Sequence, residues 1–135
     1  MALVKKLNLE ENVLFYDSNK TSLAKGFDSP KVAVMQKAWA NILVSVKEGW
    51  GMVVTEAAAC GTLSIVSGVS GLKDAVENNK TGIVLAKNPS AKQISDAMEK
   101  IITDTNLRQK LSKEAYKFSL KFDWDIFYRG MKQIL

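Results

Sequence analysis

The stretch Glu48-Gly49-Trp50-Gly51-Met52-Val53-Val54-Thr55-Glu56 constrains the fold more than any other part of the chain, because of what flanks it. Before it runs Ile42-Leu43-Val44-Ser45-Val46, an apolar segment suited to a fully buried strand. After it comes Ala57-Ala58-Ala59-Cys60, a small-residue run that closes on Gly61. Strand, glycine-rich bend and helix in that order outline a ligand site, since the open N–H groups of a helix's first turn can receive an anion. With the helix starting near Gly51 or Met52, Glu48 lies in the loop before it and Glu56 sits one to two turns inside. Gly49 and Gly51 let backbone come close to a ligand, and the free amides of the first helical turn suit a diphosphate. A carboxylate at Glu56 can accept hydrogen bonds from two neighbouring ribose hydroxyls, and one at Glu48 can hold a hydroxyl-rich group beyond the phosphates. The layout suits a sugar nucleotide.

The rest of the chain alternates strands and helices up to about residue 87. Val13 to Tyr16 is a short run of β type, and Asp17 to Asp28 is long enough for a functional or mobile loop. Ser29-Pro30 starts a helix with Val32, Met35 and Trp39 on one face, the tryptophan expected in the core. Leu63 to Ser67 reads as the next buried strand, Gly68 to Gly71 as a turn, Leu72 to Glu77 as a short helix, and Thr81-Gly82 opens a last strand to Leu85. From Asn88 only helices follow: Ser90 with Gln93 forms a capping box, Ile94, Ala97, Met98 and Ile101 share a face, and Asp104 or Thr105 caps a helix with Leu107, Leu111, Ala115 and Phe118 inward. Phe122 to Tyr128 leads a terminal helix to Leu135. The pattern predicts one α/β domain over residues 1–135, a Rossmann-like parallel sheet of about four strands with flanking helices.

A glutamate pair at this spacing, taken by itself, fits helix-end charge as well as a ligand site. The wider run decides between them. EGWGMVVTE continuing as AAACGT resembles the signature of the GT-B retaining glycosyltransferases of group 4 type, the glycosyl transferases group 1 family. Ser64 to Ser67, Val69-Ser70-Gly71-Leu72-Lys73-Asp74-Ala75-Val76 and Asn79-Lys80-Thr81-Gly82-Ile83-Val84 are similar to that family's following segments in order and spacing, as are Asn12 to Phe15 and Phe122-Asp123-Trp124. The resemblance implies the second half of a GT-B C-terminal domain that binds a nucleoside diphosphate sugar and transfers the sugar with retention, a hexosyltransferase of mannosyl or glucosyl type. It assigns Glu48 to the sugar in a catalytic role, Gly49, Trp50, Gly51, Met52 and Val53 to the donor, Glu56 to the ribose, and Ser70, Gly71 and Leu72 to the donor sugar's border. It implies no metal and no cofactor beyond the nucleotide sugar, with a carbohydrate or lipid-linked acceptor in the intact enzyme.

Composition removes competing classes. The chain has 135 residues, 47% apolar and 24% charged, which is ordinary for one domain with a real core. It has no histidine, so imidazole metal sites and triads are excluded, and its one cysteine, Cys60, beside alanines, reads as a small core residue. The net charge of +5 comes from dispersed lysines with arginine only at 108 and 129, which argues against a nucleic-acid stripe. One cysteine and no long apolar run favour a cytoplasmic setting, with peripheral membrane placement left open. No G-x-G-x-x-G follows the first strand, so a Rossmann dehydrogenase fits poorly.

The family's first two βα units, which grip the diphosphate with basic residues, have no counterpart here. The strands at Val13 and Ile42 would then expose sheet edges, so either Val13 to Tyr16 pairs with Ile42 to Val46 or a homodimer or partner chain shares an edge. The chain alone is expected to be inactive. The alternative is a noncatalytic nucleotide-binding or scaffold subunit completed by a partner chain.

Overall fold

The computed structural model describes residues 2–15 and 30–122. The chain divides into two units, residues 1–30 and 31–135. In the first, helix α1 (Ala2–Lys6) runs into a tight turn with Asn8 at φ 53°, and the Val13 amide donates to the Leu9 carbonyl at 3.0 Å. Val13, Leu14 and Phe15 form no strand, so the first expected strand is absent over its described residues. A local turn takes the Val13 amide that a ladder would have used. Tyr16, the 17–28 loop and Ser29 lie outside the described residues, as does the segment from Asp123 to Leu135.

The second unit carries all but the first residue of α2 (Pro30–Lys37), then β1 (Asn41–Leu43), α3 (Met52–Ala59), β2 (Ser64–Ser67), α4 (Leu72–Ala75), β3 (Gly82–Leu85), α5 (Ala91–Thr103), α6 (Thr105–Ser119) and a 3₁₀ turn at Leu120–Phe122. Among the described residues three strands lie parallel in the order β1-β2-β3, against about four in the sequence reading. Register sorts side chains into two rows across the sheet. Leu43, Val66 and Val84 align in one, and Ile42, Ile65 and Ile83 in the next. Because successive residues of a strand face opposite sides, each row belongs to a different core. Val66 packs with Val54 of α3 and Leu72 and Ala75 of α4, while Ile65 packs with Ala97 and Ile101 of α5 and Leu111 of α6.

All four residues of β2 are buried. Its two serines are buried polar groups, and each finds a partner: Asn41 Nδ2 donates to Ser64 Oγ at 3.1 Å, and Ser67 Oγ donates to the Ser45 carbonyl at 2.6 Å. The edge strand β1 is different. It was expected to be fully buried over Ile42 to Val46, yet it stops at Leu43, with Ile42 38%, Val44 39% and Val46 79% exposed. Among the described residues β1 has β2 as its one neighbour, and with its other edge open its side chains stay partly in solvent. Trp39 also departs from its expected core position. It is 56% exposed and lies beneath the Arg108 guanidinium, 4.4 Å from the ring centre.

The helical half follows its caps. Ser90 Oγ accepts from the Gln93 amide at 3.2 Å while Gln93 Oε1 accepts from the Ser90 amide at 2.9 Å, and Asp104 Oδ1 accepts from the Leu107 amide at 2.9 Å. Both helices then turn their expected faces inward, burying Ala97 and Ile101 of α5 and Leu111 and Ala115 of α6. Met98, on the margin of the α5 face, remains 39% exposed. Ile101→Ala should therefore cost about 2–5 kcal/mol in urea denaturation. Met98→Ala should cost clearly less, and equal losses would contradict this helix register.

Candidate donor site

Helix α3 begins at Met52, where the glycine bend predicts it, and Gly51 takes the capping position at φ 73°, ψ 58°. A left-handed residue at that point turns the chain from the loop into the helix. Among the described residues no side chain caps α3, which leaves its opening amides without a side-chain acceptor there. Glu56 is the fifth residue of the helix and Glu48 lies four residues before its start. The sequence expectation for these two carboxylates, one in the loop and one on the helix, matches their placement.

The loop is held by direct backbone packing against the turn that starts α4. Gly71 sits at φ 85°, and a β-carbon there would fall 2.7 Å from the Glu48 carbonyl oxygen and nearer still to that of Gly49. The Gly71 amide donates to Asp74 Oδ2 at 3.2 Å, which fixes the turn from the other side. A β-carbon on Gly51 would overlap the Leu72 side chain. Gly71 is thus brought to Glu48 and Gly49, and Leu72 to Gly51. Leu72 itself is fully buried among Val54, Val66 and Val69, so its side chain serves the core and does not face a ligand. Ser70 is exposed and Gly71 buried.

The remaining candidate residues differ in what they present. Trp50 turns onto the 3₁₀ turn that follows α6, its ring 5.4 Å from Phe122 at 72°, and Phe122 in turn meets Phe118 of α6 at 5.2 Å. Edge-to-face packing of this kind anchors the bend between two glycines. Met52 is 70% exposed, and Val53 is half-buried against the α3 core cluster. Glu48 is half-buried, and Ser45 Oγ stands 3.5 Å from its Oε2, at the outer limit of a hydrogen bond. Ser45 is in turn tied to β2 through its carbonyl and Ser67 Oγ.

Glu56 has a partner that no motif announced. Lys31 Nζ, from the first turn of α2, donates to Glu56 Oε2 at 2.5 Å. Both side chains are about half exposed, at 53% and 41%, so the pair contributes only about 0.2–1 kcal/mol to stability. One turn further on, Cys60 is half-buried at the end of α3; burial first, and then the Glu56 carboxylate, push its thiol pKa up. Lys31, Ser45 and Ser67 were legible only as unremarkable polar residues, because their roles depend on partners 22 to 25 positions away.

Comparison with known proteins settles the family. The sequence model of the group described as "Glycosyl transferases group 1" matches residues 2–118. The chain belongs to the group 1 glycosyltransferase family. It is 35% identical over 101 residues to an N,N'-diacetylbacillosaminyl-diphospho-undecaprenol alpha-1,3-N-acetylgalactosaminyltransferase of Campylobacter jejuni, covering 75% of this chain and 27% of that protein. It is 32% identical over 107 residues to a D-inositol 3-phosphate glycosyltransferase of Kribbella flavida, covering 78% of this chain and 25% of that protein. The chain therefore spans about a quarter of the length of these group 1 relatives.

Among solved structures, sucrose-phosphate synthase from Thermosynechococcus elongatus superimposes with a TM-score of 0.77 at 29% identity, over 98% of this chain and 32% of that one. Anabaena HepE, solved with UDP and glucose, gives a TM-score of 0.77 at 20% identity over 98% of this chain and 34% of its own, a likeness of fold. The Rossmann-like parallel sheet with flanking helices is thus that of GT-B glycosyltransferases. No helix among the described residues is long and apolar enough to cross a membrane.

The glycine packing gives a direct test of the site's scaffold. Gly71→Ala should lower stability by about 2–4 kcal/mol, combining left-handed strain with overlap on backbone that cannot swing away. Gly49→Ala, where a β-carbon meets nothing within 4 Å, should stay within about 0.5 kcal/mol of wild type. Urea denaturation of the two variants measures the difference, and equal stabilities would contradict the packing.

Proposed function

We propose that residues 31–122 form the nucleotide-sugar side of a retaining glycosyltransferase that moves a sugar from a nucleoside diphosphate sugar to an acceptor. The observation that carries this reading is the uncapped N-terminus of α3, bracketed by Glu48 in the loop before it and Glu56 inside it. Amide groups aimed at one end of a helix favour a diphosphate and stabilise the charge that develops on it as the glycosidic bond breaks. Glu56 accepts from ribose hydroxyls, Glu48 from the donor sugar, and the Gly49 to Val53 backbone meets the diphosphate. Ser70 and the Gly71 turn border the sugar.

Sugar transfer needs an acceptor, and the sequence resemblance also assigns the cations that grip the diphosphate to earlier βα units. The 135 residues alone are therefore expected to bind nucleotide weakly and not to turn over. Two of the relatives are named for lipid-diphosphate-linked and inositol phosphate acceptors, which keeps both a carbohydrate and a lipid-linked acceptor in view for the intact enzyme. A hexose donor is the sugar expected from the resemblance.

A second reading, a noncatalytic nucleotide-binding or scaffold subunit completed by a homodimer mate or partner chain, draws on one observation. Among the described residues β1 pairs only with β2 and leaves Ile42, Val44 and Val46 partly exposed. The two readings agree on the donor site and part on whether the intact protein transfers sugar.

Titrating UDP, GDP and ADP while following melting temperature, for wild type and Glu56→Ala, tests the shared part. One nucleotide should raise the melting temperature of wild type. Glu56→Ala should weaken its binding by about 1.5–3 kcal/mol, the worth of hydrogen bonds to a charged acceptor. Equal binding by both proteins, or none by wild type, would contradict the assignment.

A further inference from the structure

Lys31 and Glu56 belong to different helices, and the structure joins them. Helix α2 is fastened beyond Lys31 by Thr62 Oγ1, which donates to the Met35 carbonyl at 2.5 Å, while the Thr62 amide donates to the Ala57 carbonyl of α3 at 2.9 Å. One buried threonine therefore ties both helices to the same point. From that fixed base the lysine side chain reaches across to the α3 carboxylate, 25 positions away in sequence.

The contact engages only one carboxylate oxygen, Oε2. A carboxylate has about four acceptor positions on its two oxygens, so one lysine N–H leaves three. Two hydroxyls of a ribose need only two of them. Lys31 can hold Glu56 in place without displacing the sugar, and it does so with a charge-assisted bond, which is shorter and stronger than a neutral one. The site also needs positive charge for a second reason. Glu48 and Glu56 are both acidic, and a diphosphate brought between them is repelled unless a cation offsets them.

Resting on the reading of Glu56 as the ribose acceptor, we propose that Lys31 is a positioning residue for ribose recognition, orienting the Glu56 carboxylate toward the hydroxyls and offsetting its charge as the diphosphate approaches. Lys31 acts through Glu56 and touches no reacting atom. It therefore discriminates ribose from deoxyribose without contacting either.

The experiment compares dissociation constants of UDP and 2′-deoxy-UDP for wild type, Lys31→Ala, Lys31→Arg, Glu56→Ala and the Lys31→Ala/Glu56→Ala double variant, at low and high salt. Wild type is expected to prefer UDP. Lys31→Ala should weaken UDP by about three- to fivefold, with a smaller loss for the deoxy form, so that the preference narrows. Lys31→Arg should restore it, the double variant should bind UDP no more weakly than Glu56→Ala alone, and high salt should shrink the Lys31 effect. A merely structural lysine would weaken both nucleotides equally or neither, and either result overturns the proposal. Should Glu56→Ala leave the preference for UDP intact, the ribose contact through which Lys31 acts is itself refuted, an outcome separable from failure at Lys31 alone.

Discussion

The site depends on a backbone approach that only glycine permits: the α-carbon of Gly71 lies against the carbonyls of Glu48 and Gly49. This contact joins the loop leaving β1 to the turn leaving β2, two segments that parallel topology brings to the same end of the sheet. Gly51 then turns the chain into α3, and Leu72, one residue past the contact, fills the space beside Gly51 and enters the core. The position of a helix start relative to a neighbouring loop is thus set by main chain and one buried leucine.

The core explains why that end of the sheet is firm. β2 is buried along its whole length, and the rows Leu43-Val66-Val84 and Ile42-Ile65-Ile83 tie it to both neighbours while α3 and α4 cover one face and α5 and α6 the other. Ser67, at the carboxyl end of β2, extends this order outward by binding the Ser45 carbonyl, three residues before Glu48. Trp50 is drawn onto Phe122, which connects the glycine bend to the last helical turn described. The glycine loop and α3 therefore rest on packed supports at several points, the rigidity that the proposed donor site calls for.

Much of this was legible before any coordinates. The change from an apolar run to two glycines and then to small helix formers located the start of α3, and the serine and aspartate caps located α5 and α6, because these signals are local. Edge effects were not legible. Val13 reads as β because of its neighbours' propensity, yet its amide closes a local turn. Ile42 to Val46 reads as buried because apolar runs usually are, yet an edge strand leaves them half in water. Trp39 sits at a helical spacing that implies burial, and a cation from α6 covers it instead. Lys31 carried no signal, since a lysine on an exposed turn looks the same whether or not a carboxylate stands across from it.

Amide-resolved NMR during titration with a nucleoside diphosphate tests the central claim most directly, because it locates the anion without relying on any substitution. The account requires the largest shifts at Gly49 to Val53, with smaller ones at Ser70 to Leu72 and at Glu56. Shifts centred on the α5 and α6 surfaces, with the α3 N-terminus silent, would contradict it.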